Sequence, residues 1–349
     1  MWAWGRMKMR NRLIYKTIAT AGLFVFAAAA MGGTLIVTSP EQDDFVGATT
    51  TISFRIEDGV IQVTVRATIT AQVGGVSTTL ETRVTPNQKG DASGSMTWSP
   101  SEAFPEGVYD IVVTATETGN PYNTVSFSVT LDRKEPEFTD FGPLDGSFIQ
   151  GTVTITAEID EPNIEEWRVT VNGQDIPDNT GSATSISVEW DTTNIEEDGP
   201  QTIKIVVKDK ADNQGTHEVE VILDRAAPQI NVLFPRSNMS IRPGGIMAVA
   251  IDVVDSASDA VDVTAIIVEL RDMSNNLIRR VSRFRYSDVN DTTARWLGRV
   301  RLRLPSGVSE FKLVVGAVDK AGNTAVTQEV PLHAGRGRGW RWGWGRRGL

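Results

Sequence analysis

Few residues in this 349-residue chain have the types and spacings that chemistry requires. There is no cysteine, which removes thiolate nucleophiles, thiolate metal sites and disulfides together. The two histidines, His217 and His333, have no second histidine at ligand spacing, so neither reads as a zinc ligand or a catalytic base. No nucleophile elbow, phosphate loop or dinucleotide fingerprint is present. Acidic runs occur at Glu165-Glu166 and Glu196-Glu197-Asp198. Paired carboxylates are the acid and base of glycoside hydrolysis. Neighbours along a strand point to opposite faces, however, so these runs read as solvated edges. The expectation is no catalytic residue and no cofactor-binding residue.

Oxygen ligands are the exception. Asp209, Asp212 and Asn213 gather in one turn, and Asp288-Val289-Asn290-Asp291 form a second cluster. Calcium takes about six to eight hard oxygens, so it is the metal such turns would suit. The simpler reading is structural, because Asp and Asn bond their own backbone and accept left-handed conformations. The metal question stays open at this point, with no cofactor expected and calcium as the one candidate. Two sequons, Asn238-Met239-Ser240 and Asn290-Asp291-Thr292, would accept glycans in a host that adds them.

Charge narrows the partners. The net charge is −10, yet both ends are basic. Arg6, Lys8, Arg10, Arg12 and Lys16 open the chain, and Arg336, Arg338, Arg341, Arg346 and Arg347 close it. Between those ten bases lie 24 Lys and Arg against 44 Asp and Glu. An acidic body argues against nucleic acid, whose binding is driven by neutralising phosphates. The start reads as an export signal: a basic segment, an apolar centre at Leu23 to Ala30, and small residues at Ala28 and Ala30 that suit cleavage before Met31. An uncleaved membrane anchor is the alternative. The tail from Gly335 is low-complexity Gly, Arg and Trp that cannot bury a core. It reads as disordered, or as a segment that meets an anionic surface.

The elements that would position any site come from a repeat. Leu131-Asp132-Arg133-Lys134-Glu135-Pro136 recurs as Leu223-Asp224-Arg225-Ala226-Ala227-Pro228. Each follows an alternating apolar run and leads into an extended run ending in Pro143 or Pro235, as Leu35 to Pro40 does earlier. The most regular strands read Tyr109-x-Ile111-x-Val113-x-Ala115, Ile203-x-Ile205-x-Val207 and Phe311-x-Leu313-x-Val315-x-Ala317. Polar turns close them: Glu117-Thr118-Gly119-Asn120, Asp209-Lys210-Ala211-Asp212-Asn213 and Asp319-Lys320-Ala321-Gly322-Asn323. Asn172-Gly173 between alternating strands predicts a hairpin. Period-two alternation buries one face of each strand, the pattern of antiparallel sandwiches. One tryptophan per copy, Trp98, Trp190 and Trp296, falls at what reads as an equivalent core point. The alternative is a row of exposed rings forming a sugar platform.

The strand, Asp-Lys-Ala-Gly-Asn turn, strand and Leu-Asp-Arg-x-x-Pro order resembles the bacterial immunoglobulin-like domains of prokaryotic surface proteins, over roughly Thr34 to His333. The turn at Asp319 to Asn323 is the most specific part; the turn at Asp209 departs by one residue, and the first copy departs further. The expected architecture is all-β, with three tandem Ig-like antiparallel β-sandwiches after an N-terminal signal helix. The cuts fall at 1–33 (signal), 34–133, 134–225 and 226–334 (modules) and 335–349 (tail). The resemblance implies an exported, non-enzymatic surface protein, used for adhesion or as a spacer, with a cell-surface protein or glycan as partner. A carbohydrate-binding or enzyme-associated accessory protein of the envelope is the alternative. Strands of about ten residues would make three modules in line reach on the order of 110 Å. The short proline-containing joints predict limited bending. The third copy ends in Val330-Pro331-Leu332 without Leu-Asp-Arg, as expected of a last module.

Overall fold

The computed structural model describes residues 33–257 and 261–335. Apart from Gly33 and Gly335, the expected signal and the Gly/Arg/Trp tail lie outside the described residues. Among the described residues no helix is long and apolar enough to cross a membrane.

The first module contains β1 (Thr34–Ser39), β2 (Asp44–Val46), β3 (Thr50–Glu57), β4 (Val63–Ala71), β5 (Ser77–Val84), β6 (Ala92–Trp98), β7 (Gly107–Glu117), β8 (Asn120–Pro121) and β9 (Val125–Leu131). The second contains β10 (Glu137–Gly142), β11 (Phe148–Ile149), β12 (Thr152–Asp160), β13 (Ile164–Val171), β14 (Gln174–Gly181), β15 (Ser185–Asp191), β16 (Gly199–Asp209) and β17 (Gln214–Leu223). The third contains β18 (Gln229–Phe234), β19 (Met239–Ile241), β20 (Ile246–Val254), β21 (Val261–Asp272), β22 (Leu277–Arg280), β23 (Phe284–Asn290), β24 (Thr293–Arg301), β25 (Glu310–Asp319) and β26 (Gln328–Ala334).

Each module is a two-sheet sandwich. The orders are β1-β3-β6 with β2-β9-β7-β4-β5, β10-β12-β15 with β11-β17-β16-β13-β14, and β18-β20-β24-β23 with β19-β26-β25-β21-β22. The alternation dictates this. On β7 the side chains of Tyr109, Ile111, Val113 and Ala115 are buried, and on β25 those of Phe311, Leu313, Val315 and Ala317. Two opposed apolar faces then make one continuous core in the second module and another in the third.

The prolines that end β1, β10 and β18 mark a change of sheet. Pro40, Pro143 and Pro235 all follow cis peptides. Proline has no N–H to continue a ladder, so pairing stops there. The chain keeps its direction and enters the opposing sheet as β2, β11 or β19. As a result β11 runs parallel to β17, and β19 parallel to β26. The expected antiparallel pattern therefore holds elsewhere and is broken at these short strands, which lie beside a last strand running the same way.

Asn172 and Gly173 make the predicted two-residue turn, with φ of 51° and 74° and Val171 facing Gln174. Each module also sets an aromatic ring across from a glycine: Phe54 faces Gly94, Trp167 faces Gly181 and Phe284 faces Gly298. The ring fills the space that the missing side chain leaves.

The tryptophan reading needs one correction. Trp98, Trp190 and Trp296 are all buried. Register makes Ile56, Ile159 and Val253 equivalent, since they face Leu35, Phe138 and Ile230. Six residues before them, Thr50, Val153 and Met247 pair with Trp98, Trp190 and Val300. Trp296 instead faces Ile251, so it lies four residues earlier along its strand. The second module buries Trp167 as well as Trp190, and in the third a different inward position takes the ring.

Candidate functional site

The two repeated motifs are distant in sequence and hydrogen-bonded in space. Asn323 Nδ2 donates to the backbone oxygen of Asp224 at 2.8 Å and to Asp319 Oδ2 at 2.9 Å. Asn213 Nδ2 does the same one module earlier, to the Asp132 oxygen at 3.0 Å and to Asp209 Oδ2 at 2.8 Å. Each Asp-Lys-Ala-x-Asn turn thus clasps a Leu-Asp-Arg joint. The turn is built for it. Asp319 Oδ1 accepts from Asn323 N at 2.8 Å, and Asp209 Oδ1 accepts from Asn213 N at 2.9 Å. The fourth residue has positive φ, 92° at Gly322 and 70° at Asp212. Glycine takes that conformation freely and aspartate tolerates it, which accounts for the one-residue difference between the turns.

Around each clasp three carboxylates converge. Asp132, Glu161 and Asp209 form one set, and Asp224, Asp255 and Asp319 the other, each with one oxygen per residue within 4.8 Å of the others. Three strand ends supply them. The joint gives Asp132 or Asp224. The residue two beyond Ile159 or Val253 gives Glu161 or Asp255. The last residue of β16 or β25 gives Asp209 or Asp319.

The second set is the more deeply enclosed. Asp224 is 1% exposed, Asp255 3% and Asp319 3%. Asp224 Oδ1 accepts from Ala226 N at 3.1 Å and Asp255 Oδ1 from Ala257 N at 3.0 Å. Their other oxygens, Asp224 Oδ2 and Asp255 Oδ2, are buried without a hydrogen-bond partner among the described residues. Burial pushes the Asp224 carboxyl up to about 6, with the charges of Asp255, Asp319 and Asp198 adding to it and the Ala226 amide opposing. Burial and the charge of Asp319 raise Asp255 likewise. Arg225 follows Asp224 in the chain but turns away, bonding Asp198 Oδ1 at 2.6 Å and the Ile195 oxygen at 2.9 Å. Lys320 Nζ lies over the Phe148 ring, 5.3 Å from its centre.

The first set differs in its compensation. Burial raises Glu161, as do Asp132 and Asp209, while the Asn163 amide and Lys134 act in the opposite sense. In the first module the equivalent positions are Asp58 and Glu117, and a tyrosine completes them. Tyr122 Oη donates to Glu117 Oε2 at 2.9 Å, and the Val60 and Ile61 amides donate to Oε1. Burial alone would raise Glu117; the Ile61, Tyr122 and Val60 donors outweigh it and hold it below the ordinary value. Tyr122 is itself pushed up to about 12 by burial and by Glu117.

The expected calcium ligands are partly regrouped. Asp209 belongs to a converging set. Asp212 does not: it is exposed and bonds Lys208 Nζ at 2.6 Å. Its left-handed φ turns its side chain outward while Asn213 points in. Asp288 and Asp291 are in neither set, and Asn290 Oδ1 accepts from its own loop, from Thr292 N at 3.0 Å. His217 packs on Phe141 and Phe138, with ring centres 4.5 and 5.4 Å away. His333 Nδ1 lies 3.7 Å from Glu310 Oε1.

Sequence reasoning missed the sets themselves, although Asp132 and Asp224 were in the repeat that cut the chain. It also averaged the charge. Residues 134–225 carry six Lys and Arg against 21 Asp and Glu, whereas residues 226–334 carry 13 against 11. The acidic-body argument therefore covers the first two modules and not the third, where Arg285, Arg299 and Arg301 are exposed.

No protein-family model matches the chain. A stretch of 147 residues, 42% of the chain, is 26% identical to Bacillopeptidase F of Bacillus subtilis (strain 168) and spans 10% of that protein. Among solved structures the chain is similar to fibronectin(III)-like modules of CbhA from Clostridium thermocellum (10% identity, 57% of this chain and 93% of that chain, TM-score 0.38). It is also similar to a tetra-tandem repeat in the extending region of a large adhesion protein (17%, 87% and 75%, TM-score 0.28). A structure from a 1.5-MDa bacterial ice-binding adhesin is a third such neighbour (17%, 87% and 99%, TM-score 0.30). The fold described above rests on the strand pairing of this chain alone.

Proposed function

We propose that this protein is an exported, non-enzymatic surface or extracellular protein in which tandem Ig-like modules act as an adhesion or spacer array. The observation that carries this reading is the clasp between the second and third modules. Five residues separate Leu223 from Gln229, and the joint is bonded on both sides: Asp224 N donates to the Ile149 oxygen at 3.0 Å, and Asn323 Nδ2 reaches its carbonyl. Such a joint holds two modules apart at a fixed spacing, which is what a spacer needs. The basic and apolar pattern from Arg10 to Ala30 supports export. The two histidines are taken up by aromatic packing and by Glu310, which supports a binding rather than a catalytic role. Contact with a cell-surface protein or glycan would fall to loops or to open sheet edges such as β23. Burial of Trp98, Trp190 and Trp296 removes the exposed row that the sugar-platform alternative would use at those positions.

The test is accessibility on intact cells. An epitope-tagged chain expressed in its host should be labelled by a membrane-impermeant reagent and shaved by added protease. Full protection, with the tag recovered in the cytoplasmic fraction, refutes the reading.

A further inference from the structure

We infer that the joint between the second and third modules is a divalent-cation site of the calcium class, formed by Asp224, Asp255 and Asp319. A cluster of acids is common on protein surfaces and proves little. This one is different in two respects. It is enclosed, with all three side chains more than nine-tenths buried. Two of its oxygens, Asp224 Oδ2 and Asp255 Oδ2, have no hydrogen-bond partner among the described residues. A buried polar atom left unpaired costs free energy, and a buried carboxylate left unpaired costs more. Asp319 is fully engaged on the clasp side, through Asn323 N and Nδ2. The guanidinium of Arg225 is committed to Asp198 and the Lys320 ammonium to the Phe148 ring. The described residues thus bring three acids together and keep both adjacent bases occupied elsewhere.

The donor set selects the ion. Only oxygens are present, without imidazole or thiolate, which favours hard cations over zinc or copper. Calcium–oxygen bonds of about 2.3–2.6 Å let ligand atoms stand up to about 5 Å apart across the ion. Oxygens within 4.8 Å of one another lie inside the span that one calcium bridges. Magnesium, with bonds of about 2.0–2.1 Å and strict octahedral demands, tolerates an irregular carboxylate set less well. The ion would neutralise the buried charge and tie the Asp224 joint of one module to two strand ends of the next. It would stiffen a joint that hydrogen bonds alone hold at Asn323. The inference stands on this geometry and does not depend on where the protein acts.

The test uses the full chain. Its thermal unfolding is compared in EDTA and in 10 mM calcium chloride at matched ionic strength, with calcium binding followed by calorimetry. Extracellular calcium modules bind with Kd on the order of 10−4 to 10−3 M, so the wild-type midpoint should rise by about 5 °C and the Asp224→Asn/Asp255→Asn variant should bind one calcium fewer. That variant should lose the rise while melting in EDTA at least as high as wild type, since amides remove the repulsion between buried acids. An Asp132→Asn/Glu161→Gln variant should keep the rise. The inference is overturned if the wild type shows no calcium-dependent shift, if the Asp224/Asp255 variant retains it, or if the Asp132/Glu161 variant abolishes it. Should the Asp224/Asp255 variant not fold, calorimetry on the wild type still decides: no calcium bound with a Kd of about 1 mM or tighter overturns the inference. A larger shift with magnesium than with calcium overturns the assignment of the ion class.

Discussion

Replacing Asn323 with alanine isolates what the clasp contributes. The side chain is 8% exposed, so water has little access to replace what it donates. Two bonds are lost. One, to the Asp224 carbonyl at 2.8 Å, is neutral and contributes about 0.5–1.5 kcal/mol net. The other, to Asp319 Oδ2 at 2.9 Å, has a charged acceptor and contributes about 1.5–3 kcal/mol. Their sum is about 2–4.5 kcal/mol, and both acceptors are left buried. Asn276→Ala is the control: its Nδ2 makes one bond, to Asp272 Oδ2 at 2.8 Å, in an exposed turn. That change should cost about 1 kcal/mol or less. Urea unfolding followed by circular dichroism in EDTA measures both, and amide hydrogen exchange at Asn323 and Ala325 locates the loss. If Asn323→Ala costs no more than Asn276→Ala, the clasp is a contact without consequence and the argument for a fixed joint fails.

Three further outcomes follow from the same structure. Gly298→Ala would place a Cβ 2.5 Å from Phe284 Cε1, so the ring must move; denaturant unfolding should show a loss of about 1–3 kcal/mol. Glu269 is buried and held below the ordinary glutamate value by Arg280 and then Arg271. A lowered carboxylate contributes stability that is present above its unfolded pKa and lost as pH falls through the folded one. Glu269→Gln should therefore flatten the fall in stability below pH of about 4.5, and cost about 1–3 kcal/mol at neutral pH. Tyr122 has the opposite sign: a raised pKa stabilises the fold below its unfolded value of about 10, and that contribution is lost as pH rises through about 12. Tyr122→Phe should remove a tyrosine step at about pH 12 from an ultraviolet titration and weaken the fold by about 1–2 kcal/mol. An unchanged titration curve would refute the buried Glu117 contact.

The strands were legible because each carries its own evidence. Alternation in Tyr109-x-Ile111-x-Val113 or Phe311-x-Leu313-x-Val315 requires only that neighbouring residues face opposite ways, a local property of extended backbone. The turn at Asn172-Gly173 is local in the same sense. What stayed hidden depends on which strand ends meet. The short strands after Pro143 and Pro235 are two or three residues long, and their parallel pairing is decided by a partner some seventy or more residues away. The acid sets are the extreme case. Asp224 looked like punctuation and Asp319 like the start of a turn, each reading right for its own segment, and nothing local marked Asp255 out. Sandwich topology puts the start of one module beside two strand ends of its own sheets, and three ordinary residues become one buried charge cluster. The repeat did contain the signal. Acids stand at Asp132 and Asp224, at Glu161 and Asp255, and at Asp209 and Asp319, whereas the first module has Asp58 and Glu117 completed by Tyr122. A turn that only closed a hairpin would need its aspartate and asparagine but would place no demand on the other two positions. The joint places that demand, and it is met in both copies that have one.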